Sequence, residues 1–300
     1  MAHLSKNIIS AMRMLDDAYS QNTIKSYYAD VVHFVDWCDA NEIDAFPISD
    51  ANLIKFIDDH RMSHKYSTIR RKFSALKKIN SILGYDEVEH SQIFHLSLRK
   101  MKRSQNQKRR QAKGINQDLL IRMINSQTNN ITGIRNKAIL SLGYDFLARR
   151  SELVALKTAD IDFLRSGGIR SIIRRSKNDQ FGEGRLVYGS KRSAKLLKTW
   201  MKQLPNNSEY LFRPVYNENI LNRALCERSI NEIIKKSVVK TRGHRPRERE
   251  VSGHSLRVGA AQDLMMMGHD LPAIMRAGGW NNIRVVSRYL QMSEHNIWDQ

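Results

Sequence analysis

The last fifty residues hold the side chains best suited to chemistry on a phosphate. His254 and Arg257 are three apart, so on a helix they project from one face. Trp280 follows 23 residues later and Tyr289 nine after that, on a segment whose Ile283, Val285, Val286 and Leu290 fall at helical spacing. A guanidinium offers a planar fork of donors to phosphate oxygens, and an imidazole donates or carries a proton. A tyrosine beside them can attack the phosphorus and hold it as an ester. Alone, each motif is weak: His-x-x-Arg recurs by chance, a tryptophan after two glycines is commonly core, and Tyr289 is one of ten tyrosines. Their weight comes from combination with Arg149-Arg150-Ser151-Glu152 upstream and with Lys177 at the end of a strand-like run.

The elements that must position these residues are mostly helical. Up to about Lys100 apolar residues recur at three- and four-residue spacings: Ile24, Tyr28, Val31, Val35 and Cys38 after an Asn22-Thr23 cap, then Leu53, Phe56 and Ile57 after Pro47 and Ser49. Ile69, Phe73, Leu76, Ile79 and Ile82 make a fourth helix ended by Gly84, and a fifth runs near Ser91–Met101. Four or five helices on short turns make a small bundle over residues 1–104. Arg99 to Lys113 then holds eight basic residues and no acid, which self-repulsion should keep extended; residues 105–115 are expected to link two domains, and the basic run to lie along a phosphate backbone through Arg103, Lys108 and Arg110. The second domain, 116–300, reads as helices interrupted by one clear β signal. Gly168–Lys177 and Arg185–Gly189 flank a glycine-containing turn and predict a hairpin. The expected fold class is therefore mainly α, a helical bundle followed by a mixed α/β domain with a small hairpin or sheet.

Charge narrows the partner. Lys plus Arg number 50 against 30 Asp plus Glu, a formal +20 with a sequence pI near 10.1, which attracts polyanions and above all nucleic acid. Lys65, Arg70, Arg71, Lys72, Lys77 and Lys78 cluster on or just before the fourth helix as a run of one sign, so that helix is expected to face DNA. No apolar run approaches the ~18 residues of a spanning helix, and Met1–Ser20 lacks a signal peptide's apolar block. A cytoplasmic protein with no membrane partner is the expectation. Cys38 and Cys226 sit in apolar helical patterns and read as buried free thiols. No carboxylate or histidine group shows metal-site spacing, so neither metal nor cofactor is expected.

Gly253-His-Ser-Leu-Arg-Val-Gly-Ala-Ala261, Ile274-Met-Arg-Ala-Gly-Gly-Trp280 and Tyr289 together resemble the tyrosine recombinases of the phage integrase family, and one phage-encoded member closely, with similarity over nearly the whole chain and densest in the second domain. The family places its first arginine two residues before a small residue and Glu, which selects Arg149 over Arg150. Trp280 stands where many relatives have His. The resemblance implies a SAM-like core-binding bundle and a catalytic domain of the recombinase and type IB topoisomerase fold. It implies that Tyr289 forms a 3′-phosphotyrosine, that Arg149, Arg257, His254 and Trp280 hold the phosphate, that Lys177 is the general acid, and that Glu152 orients the site. It further implies double-stranded DNA with inverted-repeat half-sites, a dimer on one site and a tetramer in synapsis. By the same likeness Lys25, Ser26, Arg71 and Lys72 meet DNA from the first domain, and Arg228 reads a base in the major groove. Rival readings are a type IB topoisomerase, a telomere resolvase, or a DNA-binding protein with a dead site. The eleven residues after Tyr289 make a short tail, which leaves open how it docks into a neighbouring subunit; Met265-Met266-Met267 is a candidate acceptor surface or plain core.

Overall fold

The computed structural model describes residues 4–105, 112–174, 184–242 and 250–290. The chain divides into two compact units, Met1–Lys108 and Arg109–Gln300. Among the described residues there are thirteen α-helices and two small sheets.

The first unit holds α1 (Lys6–Arg13), α2 (Gln21–Ala40), α3 (Asp50–His60), α4 (Tyr66–Ile82) and α5 (Gln92–Ser104). Serines start four of them: the hydroxyls of Ser5, Ser20, Ser49 and Ser91 accept from the amides of Ile8, Thr23, Asn52 and Phe94, satisfying one orphan donor each. The helices bury Val31, Phe34, Phe56, Ile69, Leu76 and Ile79 completely, and each such side chain contributes about 1.5–3 kcal/mol relative to exposure.

Two expectations change here. Arg99, Lys100, Lys102 and Arg103 belong to α5 and are not extended linker, because Phe94, Leu98 and Met101 give that segment a face to bury. Gln105 caps its end and its side chain donates to the carbonyls of Arg61 (2.8 Å) and His64 (2.6 Å) while accepting from the Tyr66 amide (2.8 Å). Lys72 points inward, 5% exposed, and pairs with the equally buried Asp30 at 3.2 Å, so it is not a DNA-facing side chain. A lone buried carboxylate would be costly, and Lys72 with Arg71 (2.6 Å to the same Asp30) offsets that cost. The fold also brings ring nitrogens of His33, His60 and His64 within 4.8 Å of one another, between α2 and the turn after α3.

The second unit comprises α6 (Gln117–Asn125), α7 (Ile131–Asp145), α8 (Arg150–Ala155), a 3-10 turn (Thr158–Asp160), β1 (Ile161–Phe163), β2 (Ile169–Ile173), β3 (Arg185–Gly189), α9 (Lys191–Met201), β4 (Val215–Tyr216), β5 (Asn219–Ile220), α10 (Glu227–Arg242), α11 (Gly253–Met266), α12 (Leu271–Gly278) and α13 (Ile283–Leu290). The expected hairpin is present as β2–β3 in antiparallel register, Ile169 opposite Gly189 and Ile173 opposite Arg185. It gains a third strand, β1, paired through Ile161 and Ser171. Three residues are too few to show alternation in sequence, which is why this strand is illegible there. Helix α7 lies at the centre: Ala138, Ile139, Leu140 and Leu142 are all fully buried, against Leu197 and Trp200 of α9, Leu120 and Met123 of α6, and Leu256 of α11. Burial all round explains why α7 shows no clean amphipathic stripe. Cys38 is buried as expected, but Cys226 is exposed just ahead of α10, its thiol beside the Ser229 hydroxyl at 3.1 Å. No helix among the described residues is long and apolar enough to cross a membrane.

Candidate active site

The first turn of α11 places two of the key side chains. Ser252 caps it, accepting from the His254 amide at 3.2 Å while its own amide donates to the Ser255 hydroxyl at 3.0 Å. A Cβ at Gly253 would collide with the side chain of Arg150, so only glycine lets α11 start this close to α8. From that turn Arg257 runs into the interior, 1% exposed, and its Nη1 donates to the Leu147 carbonyl. Leu147 holds φ at +46°, a left-handed conformation costly for a leucine, at the turn between α7 and α8. The other two donors of Arg257, Nε and Nη2, are buried and have no partner in the protein. Buried donors are almost always satisfied, and on an arginine the Nε–Nη2 edge is the side that grips two oxygens at once.

Arg149 is the N-cap of α8, and Glu152 sits three residues on. The Glu152 carboxylate, fully buried, accepts from the Arg149 amide (2.9 Å), from Arg149 Nη1 (2.6 Å) and from Arg185 Nη2 (3.2 Å). Arg185 also donates to the carbonyls of Phe146 and Ala277, tying β3 to the turn before α8 and to the end of α12. Glu152 thus fixes Arg149 in place and balances part of the positive charge around it.

Helix α12 ends with Gly279 in the left-handed region (φ +63°), and the Trp280 amide donates back to Met275 at 3.0 Å, a geometry that turns the indole inward. The Arg257 guanidinium lies 4.0 Å from the Trp280 ring, a cation–π contact that shares the burial of both. Helix α13 brings Tyr289 to the same place. Its phenol lies 2.8 Å from His254 Nε2, its ring centre 5.8 Å from that of Trp280, and its carbonyl accepts from Gln262 Nε2 at 3.0 Å.

The electrostatics set the resting protonation. Burial, helped by the charges of Arg257, Arg149 and Arg150, lowers the His254 pKa to about 4, so the imidazole is neutral at neutral pH. Burial likewise raises the Tyr289 phenol above its usual value, against the opposing pull of Arg257, Arg149 and Arg288. Desolvation thus outweighs the surrounding cations. Tyr289 therefore carries its proton, and a His254 ring with hydrogen on Nδ1 offers Nε2 to accept it.

Arg149, Glu152, His254, Arg257, Trp280 and Tyr289 meet at one site although they span 141 residues of chain (289 − 149 + 1). Lys177, Lys108 and Arg110 lie outside the described residues. In the first unit Lys25 and Arg70 are exposed, Arg71 is half-exposed with its guanidinium on Asp30, and Arg103 is exposed on the last turn of α5. Ser26 turns its hydroxyl to the Asn22 carbonyl at 2.8 Å. Arg228 is exposed on the first turn of α10. Sequence reasoning missed Arg185 and Gln262, whose partners are 33 and 27 residues away, beyond the reach of any spacing rule.

Residues 113–296 match the Phage integrase family and residues 12–83 match its N-terminal SAM-like domain. An integrase/recombinase XerD homolog of Selenomonas ruminantium is 26% identical over 294 residues, covering 94% of this chain and 85% of that protein. The Cre recombinase of Escherichia phage P1, the phage-encoded member whose terminal motifs the chain shares, is 25% identical over 307 residues, covering 95% of this chain and 88% of that protein. That relation runs over nearly the whole chain but is distant. The crystal structure of XerH site-specific recombinase bound to palindromic difH substrate superposes with a TM-score of 0.68 at 18% identity, covering 89% of this chain and 75% of that one. With a family match over more than half its length, the chain belongs to the phage integrase family, the tyrosine site-specific recombinases that cleave and rejoin DNA.

Proposed function

We propose that the chain exchanges DNA strands between two paired sites through a 3′-phosphotyrosine, as a recombinase of the kind represented by its Cre and Xer relatives. The observation that carries this reading is the buried Arg257 guanidinium with its Nε–Nη2 edge unpartnered beside the Tyr289 phenol. A protein that buries such a group without a partner needs an anion there, and a DNA phosphodiester supplies two non-bridging oxygens.

In this reading Arg257 grips one pair of oxygens and Arg149, held by Glu152, a second contact. Tyr289 Oη attacks phosphorus and its proton passes to His254 Nε2. The P–O5′ bond breaks, and Lys177 gives the leaving 5′-oxygen its proton, assistance typically worth ~10²–10⁴ in rate. The 5′-hydroxyl of a partner strand then attacks the phosphotyrosine, the steps run in reverse, and Tyr289 is released with its proton. One phosphodiester replaces another, so no nucleotide is consumed. A unit charge pair at ~4 Å is worth roughly 4 kcal/mol at an effective dielectric of about 20, so two guanidiniums supply a large part of the transition-state stabilisation.

The partner is double-stranded DNA with inverted-repeat half-sites, bound as a dimer and synapsed as a tetramer; that XerH was solved on a palindromic substrate supports the first part. Exposed Lys25, Arg70, Lys77 and Lys78 of the first unit, and Arg228 of the second, are the candidate DNA contacts. A cavity of about 520 Å³ lined by Tyr188, Leu147, Leu264 and Met267 is a candidate seat for the C-terminal tail of a neighbouring copy.

A suicide substrate nicked near the cut tests the chemistry. A covalent protein–DNA adduct that disappears in Tyr289→Phe is expected, and tight binding without any adduct refutes it. A plasmid with two sites then separates recombination from simple relaxation, the outcome a topoisomerase would give.

A further inference from the structure

His33, His60 and His64 lie in the first unit, and a ring nitrogen of each comes within 4.8 Å of the others. Their ring centres are 4.8 Å (His33–His60), 5.0 Å (His33–His64) and 5.1 Å (His60–His64) apart. His60 closes α3, and the His64 amide donates to its carbonyl at 2.9 Å across the following turn, which keeps the two imidazoles near each other. His33 comes from the middle of α2 and faces them.

The tautomers suit ligation. His60 Nδ1 lies 3.0 Å from the Phe56 carbonyl, which can only accept, so Nδ1 carries the hydrogen and Nε2 keeps its lone pair. A ring nitrogen held by a backbone carbonyl while the other faces an ion is the arrangement most metal-bound histidines adopt. His64 Nδ1 bonds the Ser63 hydroxyl at 2.9 Å, which leaves its Nε2 free. His33 Nδ1 is buried with no partner. Burial, with Lys72 next, lowers the His33 pKa to about 4, and burial with His60 lowers that of His64, so these rings are neutral at neutral pH. Lys72 is a cation near His33 and His64, and Asp30 pairs with it at 3.2 Å. Aromatic packing accounts for the ring faces, since Phe56 lies 4.2 Å from His60 and 5.6 Å from His33. It does not account for a buried His33 nitrogen without a partner or for ring nitrogens of three histidines within 4.8 Å of one another.

We propose that His33, His60 and His64 form a binding site for a zinc-class divalent cation that ties α2 to the turn after α3. Three imidazoles with no carboxylate favour Zn²⁺, Co²⁺ or Ni²⁺ over Mg²⁺ or Ca²⁺. Zn–N bonds of about 2.0–2.1 Å set ligand nitrogens ~3.3 Å apart, so closure asks the rings to move by about 1–1.5 Å. The flanking Arg61, Met62 and Ser63 are exposed, and water completes the four-coordinate shell. The same turn is already held from the other side by the Gln105 amide, so an ion there would fix the α3–α4 connection at both ends.

The full-length chain, stripped with chelator and dialysed, is titrated with Zn²⁺ against a chromophoric competitor. One equivalent is expected to bind and to raise Tm. His60→Gln/His64→Gln is expected to weaken binding roughly 100-fold or more, since loss of even an outer-shell partner costs about 10–100-fold. His90→Gln/His95→Gln is expected to leave it unchanged. Equal affinity in the wild type and the His60/His64 double variant overturns the proposal. A second measurement needs no variant: Co²⁺ is expected to give the visible absorption of a four-coordinate site, and a spectrum of free hexa-aqua Co²⁺ overturns it too.

Discussion

Replacing Arg257 by methionine tests whether the most buried cation of the site exists for the ligand or for the fold. The side chain is 1% exposed, and removing one member of a buried charge pair ordinarily destabilises by about 3–5 kcal/mol. Arg257 is different because its interactions nearly cancel. Two unpartnered buried donors, Nε and Nη2, cost about 1–3 kcal/mol each. The charged hydrogen bond to the Leu147 carbonyl returns about 1.5–3 kcal/mol and the desolvated contact with Trp280 about 2. Methionine fills similar volume without a charge and leaves only the Leu147 carbonyl unpaired. Arg257→Met should therefore change stability by less than about 2 kcal/mol, or under about 8 °C in Tm for a unit of this size. Cleavage should fall by ~10³ or more, the equivalent of roughly 4 kcal/mol of lost transition-state charge pairing. Urea unfolding of DNA-free protein and the rate of covalent adduct formation on a nicked substrate measure the two quantities. A loss of stability above about 4 kcal/mol, or cleavage within tenfold of wild type, refutes the reasoning: the first makes Arg257 a structural residue, the second removes it from the phosphate.

Glu152→Ala leaves Arg149 and Arg185 facing each other without their shared carboxylate and should cost about 3–5 kcal/mol, with Glu152→Gln retaining part; equal urea midpoints for Ala and wild type would contradict the network. His254 titrates near 4 in the folded chain against about 6.5 unfolded, so the unfolded state binds more protons between those values and stability falls as pH drops through that window. The loss attributable to this residue should reach up to about 3 kcal/mol and be absent from the pH profile of His254→Gln. Gly259→Ala places a methyl group against the Ile115 carbonyl, forcing α11 away from the segment before α6; about 1–3 kcal/mol of destabilisation is expected by thermal or chemical unfolding. Arg70→Gln with Lys78→Gln should lower the slope of log affinity against log salt by about one unit per residue that touches phosphate, whereas Lys72→Met should leave the slope unchanged because Lys72 is sealed against Asp30.

The sequence determined the element types and the chemical roster. Ser49 and Ser91 announce helix starts, the apolar spacing of Ile69 to Ile82 announces α4, and β2–β3 shows itself because strand alternation and glycines coincide there, whereas α2 is capped by Ser20 and not by the expected Asn22-Thr23. Those signals are local: each depends on residues within a turn or two, where chain geometry alone fixes who is near whom. His254, Arg257, Trp280 and Tyr289 are legible for the same reason, as spacings along one stretch. Tertiary structure decided what long-range closure controls. It set Lys72 inward and Arg71 at the surface, two adjacent residues of like charge with opposite fates, because Asp30 comes from another helix. It supplied Arg185 to Glu152, left two donors of Arg257 unpartnered, and raised the pKa of Tyr289 by burying it. It also brought His33 of α2 up to His60 and His64, a pair close along the chain. Burial and charge pairing are properties of neighbours in space, and a sequence states only neighbours along the chain.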